Sequence, residues 1–363
     1  MPSPQDAPVA SGVHSVNTQG SIEPMRWRGD HLELLDQRAL PEQILTLRID
    51  SATQTAQAIV DMAVRGAPAI GITAAYGVVL AAQRLESAGD WRKPLERAIS
   101  ELAGSRPTAV NLFWALARMQ ETIDAHREAS QAPLAALLAT AKDIHRRDLE
   151  DNHCMGALGA GVIARGGPCA VMTHCNTGAL ATGGHGTALG VIRSAWKRRL
   201  ISEVRVNETR PWLQGARLSA WELQQEGIPA VLAVDSAASL ILAEGKVKWL
   251  IVGADRIAAN GDVANKIGTL SLAVQARHFG VKTMVVAPAS TFDQSLASGA
   301  DIPIETRSAR ELTHQGERRI TPLDIVVYNP VFDITPASLV DVLICEKGVI
   351  ETPDREKIAA LLR

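Results

Sequence analysis

The chain has 363 residues, 46% of them apolar, and a formal net charge of -2 with basic and acidic residues interspersed. That length exceeds what one hydrophobic core usually spans, so two domains are expected, and the near-neutral balance leaves no electrostatic footprint for nucleic acid or an anionic membrane. No window approaches ~18 consecutive apolar residues and the N-terminus lacks the core of a signal peptide, so the expectation is a cytoplasmic protein that acts on small molecules. Four cysteines, at 154, 169, 175 and 345, are too few and too irregularly spaced for a disulfide framework or a CxxC metal site.

Residues 1–20 are rich in Ser, Pro, Gln and Gly without apolar period and read as a disordered tail. Residues 21–150 read as a mostly helical N-terminal domain. Trp27, Leu32, Leu34 and Leu35 alternate with polar residues around Gly29-Asp30, as in a small hairpin. Apolar residues then recur at three- and four-residue spacing over 56–64, 69–87, 93–103, 110–129 and 133–151. Two turns in this region carry chemistry. Arg65-Gly66-Ala67-Pro68 sets a guanidinium beside a glycine and opens a helix, so backbone N–H groups and Arg65 can converge on one phosphate. Ser105-Arg106-Pro107-Thr108 repeats the arrangement before Val110. An isolated arginine of this kind is more often an ordinary ion pair; the repetition points to an anion.

Over residues 151–363 the period changes. Short apolar runs at 170–172, 204–206, 230–234, 249–252, 283–287 and 342–344 alternate with helical segments, which predicts a parallel sheet covered on both faces. In such sheets ligands bind beyond the carboxyl ends of the strands. The first run ends in His174-Cys175-Asn176 and opens into a glycine-rich turn with Gly178, Gly183, Gly184 and Gly186. Most free cysteines are small buried hydrophobes, but this one stands where an α/β enzyme keeps its chemistry. The fourth run leads to Asp255, whose apolar neighbours are expected to raise its pKa toward that of a general acid, although a turn cap or a pair with Arg256 is an equal reading. Lys266 is placed at the opening of a helix, where a cation and backbone donors together suit an anion. His174 and His185 are further acid–base candidates, with no HExxH pattern to imply a metal. Gly184-His-Gly186-Thr-Ala-Leu-Gly190, with Glu208 beyond, is a weak dinucleotide fingerprint, because a true one follows its strand at once; a dehydrogenase is the competing enzyme reading. The tryptophans at 196, 212, 221 and 249 read as core and pocket wall.

Taken together, RGAPAIG at 65–71, SRPTAVNL at 105–112, THCNTGALAT at 173–182, ETRPWLQGARLSAWEL at 208–223 and VGADRIAANGDVANKIGT at 252–269 resemble the methylthioribose-1-phosphate isomerases. The resemblance implies an α/β protein with a mostly helical N-terminal domain and a Rossmann-like parallel-sheet C-terminal domain, commonly a homodimer. It implies an aldose–ketose isomerase of methionine salvage that takes a sugar phosphate and needs no metal or organic cofactor. By the same resemblance Cys175 is the reactive thiol and Asp255 the proton donor, with Arg65, Gly66, Ala67, Arg106, Gln214, Asn265 and Lys266 around the substrate. Related families offer two alternatives, a ribose-1,5-bisphosphate isomerase and the non-catalytic regulatory subunits of translation initiation factor 2B. Thr306 departs from the family pattern, where a second Glu is expected after Glu305.

Overall fold

A computed structural model of the protein describes residues 9–13, 22–85, 90–107 and 109–363. The chain divides into two compact units, Met1–Cys154 with Thr177–Gly190, and Met155–Asn176 with Val191–Arg363. The first unit therefore recruits the glycine-rich segment after Cys175, an excursion that the sequence reading, with its single boundary at 150/151, does not contain.

In the first unit, β1 (Val9–Val13), β2 (Met25–Trp27), β3 (Leu32–Leu35) and β4 (Leu45–Ile49) form an antiparallel sheet in the order β1-β4-β3-β2. The expected hairpin is β2–β3, with Met25 opposite Leu34 and Trp27 opposite Leu32. β1 lies in the stretch read as an unstructured tail, and the rest of that stretch lies outside the described residues. Among the described residues five helices follow: α1 (Ala52–Val60), α2 (Ala67–Gln83), α3 (Arg92–Gly104), α4 (Val110–Ala125) and α5 (Leu134–Ala164), whose residues from 155 on belong to the second unit. Ser51 starts α1 by accepting the Gln54 N–H at 3.1 Å. α2 is apolar on every side and buried along almost its whole length, so it is the central helix around which Ile59, Leu95, Leu102, Leu112 and Met119 pack. α5 continues beyond 151, where the sequence reading ends it, and stops just before Gly166-Gly167-Pro168, a strong breaker.

The second unit holds β5 (Cys169–His174), most of α6 (Ala188–Lys197), β6 (Ile201–Asn207), α7 (Ala220–Gln225), β7 (Ala230–Ala233), α8 (Ala238–Ala243) and β8 (Val247–Val252). Then come β9 (Arg256–Ala258), β10 (Val263–Lys266), α9 (Thr269–His278), β11 (Lys282–Val286) and β12 (Phe292–Asp293). The remainder comprises α10 (Arg310–Thr313), β13 (His314–Gln315), β14 (Arg318–Arg319), β15 (Phe332–Thr335), β16 (Val342–Cys345), β17 (Gly348–Glu351) and α11 (Arg355–Leu362). All six strands read from the apolar runs are present. They make a seven-stranded sheet in the order β17-β16-β11-β8-β5-β6-β7, parallel except for β17 on the edge. Counted along the chain, the parallel strands stand in the order 3-2-1-4-5-6, that of a Rossmann fold, and the direction of winding reverses between β5 and β8. A second sheet, β12-β9-β10-β15, was not legible in the sequence, because its strands have two to four residues. Among the described residues, no helix is long and apolar enough to cross a membrane.

Candidate active site

Cys175 directly follows β5, at the point where the sheet reverses, and is 8% exposed. Its backbone lies in the left-handed region with φ 62°, a conformation that costs a non-glycine residue on the order of 1–3 kcal/mol and persists only where its surroundings impose it. Two hydroxyls impose it here. The Cys175 N–H donates to Thr209 Oγ1 at 3.0 Å, and Ser219 Oγ donates to the Cys175 carbonyl at 2.6 Å. Ser219 closes a π-helical turn, Gly215–Ser219, of the kind that is frequent at functional sites. Asn176 donates to Glu222 Oε1 at 2.8 Å and to Ser219 Oγ at 3.2 Å. Glu222 is fully buried, and its second oxygen accepts from Arg193 at 2.7 Å. The thiol thus stands on a backbone fixed by a buried polar network.

His174, one residue earlier, is a correction. Burial lowers its pKa to about 4. The Ile267 carbonyl can only accept, so Nε2 carries the hydrogen and donates to it at 2.9 Å, while Nδ1 accepts from Asn207 Nδ2 at 3.1 Å. A neutral ring engaged at both nitrogens is not an acid–base catalyst. His185, the other candidate, stacks on His153 in the first unit with ring centroids 4.0 Å apart.

β8 lies beside β5, with Ile251 opposite Thr173, and leads through Gly253-Ala254 to Asp255. The Asp255 N–H donates to the Ala264 carbonyl at 2.9 Å, which ties it to the β9–β10 hairpin. Arg256 reaches Asp293 at 3.4 Å. Asn265 and Lys266 are buried on β10, at 2% and 5% exposure, and Gln214 is fully buried just before the π-helical turn. Cys175, Gln214, Asp255, Asn265 and Lys266 therefore all belong to the connections after β5, β6 and β8. The anion site expected at the helix after Lys266 needs correcting. Lys266 is in a strand, and the Gly268 and Leu270 N–H groups at the start of α9 donate to the Asp333 carboxylate at 2.7 and 3.1 Å. The Lys266 ammonium stands over the Phe332 ring, 5.3 Å from its centroid.

In the first unit, Gly66 precedes α2 with φ 88°, and a Cβ there would lie 2.4 Å from the Ala181 carbonyl oxygen. Only glycine lets the start of α2 seat against the turn at Ala179–Ala181. One turn into α2, Gly71 faces the carbonyl of Asn111, the second residue of α4, with no room for a side chain. That crossing brings the Arg65 and Arg106 turns to one end of the helix pair. Neither helix start has a capping side chain. The glycine-rich segment is tied by Gln37 Nε2 donating to the Leu180 carbonyl at 2.7 Å and the Gly183 N–H donating to Asp148 at 2.7 Å. Gly184 follows this turn instead of following β5 at once, which is not the geometry of a dinucleotide fingerprint. Among the described residues, no group of three His, Cys, Asp or Glu could hold a metal ion.

The initiation factor 2 subunit family matches residues 63–352. The chain belongs to that family. Within it, the chain is 56% identical over 344 residues to a methylthioribose-1-phosphate isomerase of Pseudomonas aeruginosa, covering 94% of this chain and 96% of the relative. Among solved structures, 5-methylthioribose 1-phosphate isomerase from Pyrococcus horikoshii superposes with a TM-score of 0.87 at 40% identity, covering 95% of this chain and 96% of that one. A protein of A. fulgidus named as translation initiation factor eIF-2B subunit delta gives a TM-score of 0.84 at 39% identity, over 94% of this chain and 99% of that one. Family members named as enzymes and as translation factors thus share this fold.

Sequence reasoning missed Thr209, Ser219, Asn176, Glu222 and Arg193, the network under Cys175. For Ser219 and Glu222 the signal was polarity inside the apolar run from Leu218 to Leu223, and for Thr209, Asn176 and Arg193 the partners are set by tertiary structure alone.

Proposed function

We infer that this chain is a methylthioribose-1-phosphate isomerase, which converts 5-methylthioribose 1-phosphate to 5-methylthioribulose 1-phosphate in methionine salvage. The observation that carries the reading is the pairing of a backbone-constrained thiol, Cys175, with a carboxylate, Asp255, after neighbouring strands where the sheet reverses. Relatives at 56% identity bear the enzyme's name.

The chemistry follows from the substrate. A phosphate on O1 blocks ordinary hemiacetal opening, so the ring oxygen must be protonated while the bond to phosphate survives. Asp255 gives that proton, and the bond from C1 to the ring oxygen breaks. Cys175, as thiolate, removes the C2 proton to give an enol that keeps the phosphate, and the thiol, whose proton exchanges with solvent, then protonates C1 while the Asp255 carboxylate takes up the 2-hydroxyl proton as the ketone forms. In the alternative route a hydride passes directly from C2 to C1, with Cys175 shaping the transition state. Turnover in heavy water separates the two: deuterium at C1 of the product supports the enol, and its absence supports the hydride shift. Arg65 and Arg106, with the N–H groups opening α2 and α4, bind phosphate, and Gln214, Asn265 and Lys266 hold the sugar. The protein acts as a cytoplasmic homodimer without a cofactor.

Ketose formation from 5-methylthioribose 1-phosphate, with ribose 1,5-bisphosphate alongside, tests the reading. Turnover of the methylthio sugar alone is the expected result. Turnover of the bisphosphate alone assigns the chain to the related isomerase, and a folded protein inert toward both favours the translation-factor role named for the A. fulgidus relative.

A further inference from the structure

We propose that His174 and Asp333 are positioning residues for the sugar phosphate: gripping the turn 267–270 from two sides, they fix Asn265 and Lys266 for the substrate. The inference rests on the functional reading above, which places Asn265 and Lys266 against the sugar.

The turn is held from two strands and the residue that leads into the second of them. His174, at the end of β5, donates to the Ile267 carbonyl at 2.9 Å across 93 residues of sequence. Asp333, on β15, accepts the Gly268 and Leu270 N–H groups at 2.7 and 3.1 Å across more than 60 residues. The Ile267 N–H donates to the Val331 carbonyl at 2.9 Å. Gly268 itself has φ +103°, and a Cβ on it would lie 3.1 Å from the His174 ring, so the turn and the imidazole are packed with no space between them.

Starting a helix does not require this construction. α1 is capped by the local hydroxyl of Ser51, whereas α9 starts at a glycine and takes its carboxylate from a distant strand. A remote cap fixes where the turn sits, in addition to where the helix begins. The same strand serves the residues in question, since Asp333 is opposite Asn265 and Phe332 is opposite Lys266, with the Phe332 ring under the ammonium. Thr269 completes the linkage by accepting from Asn265 Nδ2 at 3.0 Å and donating to the Lys266 carbonyl at 2.7 Å. Any shift of the turn therefore moves both substrate-facing side chains.

Steady-state kinetics of Asp333→Asn and His174→Ala test the clamp. Asparagine can accept only one of the two N–H bonds, and alanine accepts or donates none. The expected result is a KM for 5-methylthioribose 1-phosphate raised about tenfold with kcat within about threefold of the unaltered chain, the loss expected for charge-assisted or buried hydrogen bonds. His174→Gln, whose amide can donate to the Ile267 carbonyl, should recover most of the KM. Unchanged KM with a lowered melting temperature would mean a purely structural role and overturn the proposal. A second measurement needs no variant: saturating substrate should slow hydrogen exchange at the Gly268 and Leu270 amides, and turnover without such slowing also overturns it. Absence of turnover in the unaltered chain contradicts the functional reading and this inference with it.

Discussion

At Cys175 a single residue carries both a thiol and a left-handed backbone, and the hydroxyls of Thr209 and Ser219 hold the second so that the first is presented in one position. Ser219→Ala should lower kcat/KM for the sugar phosphate about tenfold by freeing the Cys175 carbonyl, whereas Ser219→Thr, which keeps a hydroxyl, should retain more activity; equal loss in both would show that the hydrogen bond is not what matters. His174 gives a pH prediction. Its pKa in the folded chain is lowered from 6.5 to about 4, so as pH falls through this window the unfolded chain takes up a proton that the native chain refuses. The stability due to His174 is therefore complete above pH 6.5 and is lost toward pH 4. Asp333 runs the other way: burial raises its carboxyl to about 6, so its contribution is complete below the unfolded value of 3.8 and declines as pH rises through 6. Urea unfolding of His174→Gln from pH 7 to pH 4 should show a shallower fall in stability than the unaltered chain, and parallel curves would contradict the assignment. Cys175 was legible in the sequence because an apolar strand ending in a thiol before glycines is a local pattern. The fate of His174 was not, since its neutrality depends on Asn207 and Ile267, brought to it by other strands.

Elements with strong local signals were read well, and those set by tertiary contacts were not. The apolar helix α2 and the six parallel strands carry their pattern in their own residues. The β9–β10 hairpin does not, because Asn260-Gly261-Asp262 reads as a turn without revealing that three- and four-residue strands flank it. Missing that hairpin is what placed Lys266 at a helix start instead of in a strand, and hid the carboxylate of Asp333 that occupies the α9 donors. α6 and α7 are joined by the buried Arg193–Glu222 pair, at 4% and 0% side-chain exposure. Arg193 is shared with the less buried Glu226 at 2.6 Å, so removing Arg193, rather than Glu222, strands a charge in the interior. Arg193→Met should cost about 3–5 kcal/mol in chemical denaturation, and the double substitution Arg193→Met with Glu222→Leu should cost less than the single one, because the fully buried carboxylate is removed together with its partner. A double variant less stable than Arg193→Met would contradict this pairing.

At the scale of the whole molecule, the strand order 3-2-1-4-5-6 sets Cys175 and Asp255 in one place, after the carboxyl ends of β5 and β8. The α/β class followed from the change of period along the chain. The excursion of Thr177–Gly190 into the first unit did not, because a chain crossing leaves no compositional trace. Light scattering on the purified protein should give twice the 38.7 kDa chain mass, the homodimer implied by family resemblance, and a mass of one chain would refute it.

The most direct test of the central claim is the rate of ketose formation from 5-methylthioribose 1-phosphate by the unaltered protein, Cys175→Ser and Asp255→Asn, all verified as folded. The account predicts turnover by the first and a loss of at least about a hundredfold in each variant, as befits groups that transfer protons in the reaction. Near-normal turnover in either variant would contradict the assignment of that residue to the chemistry.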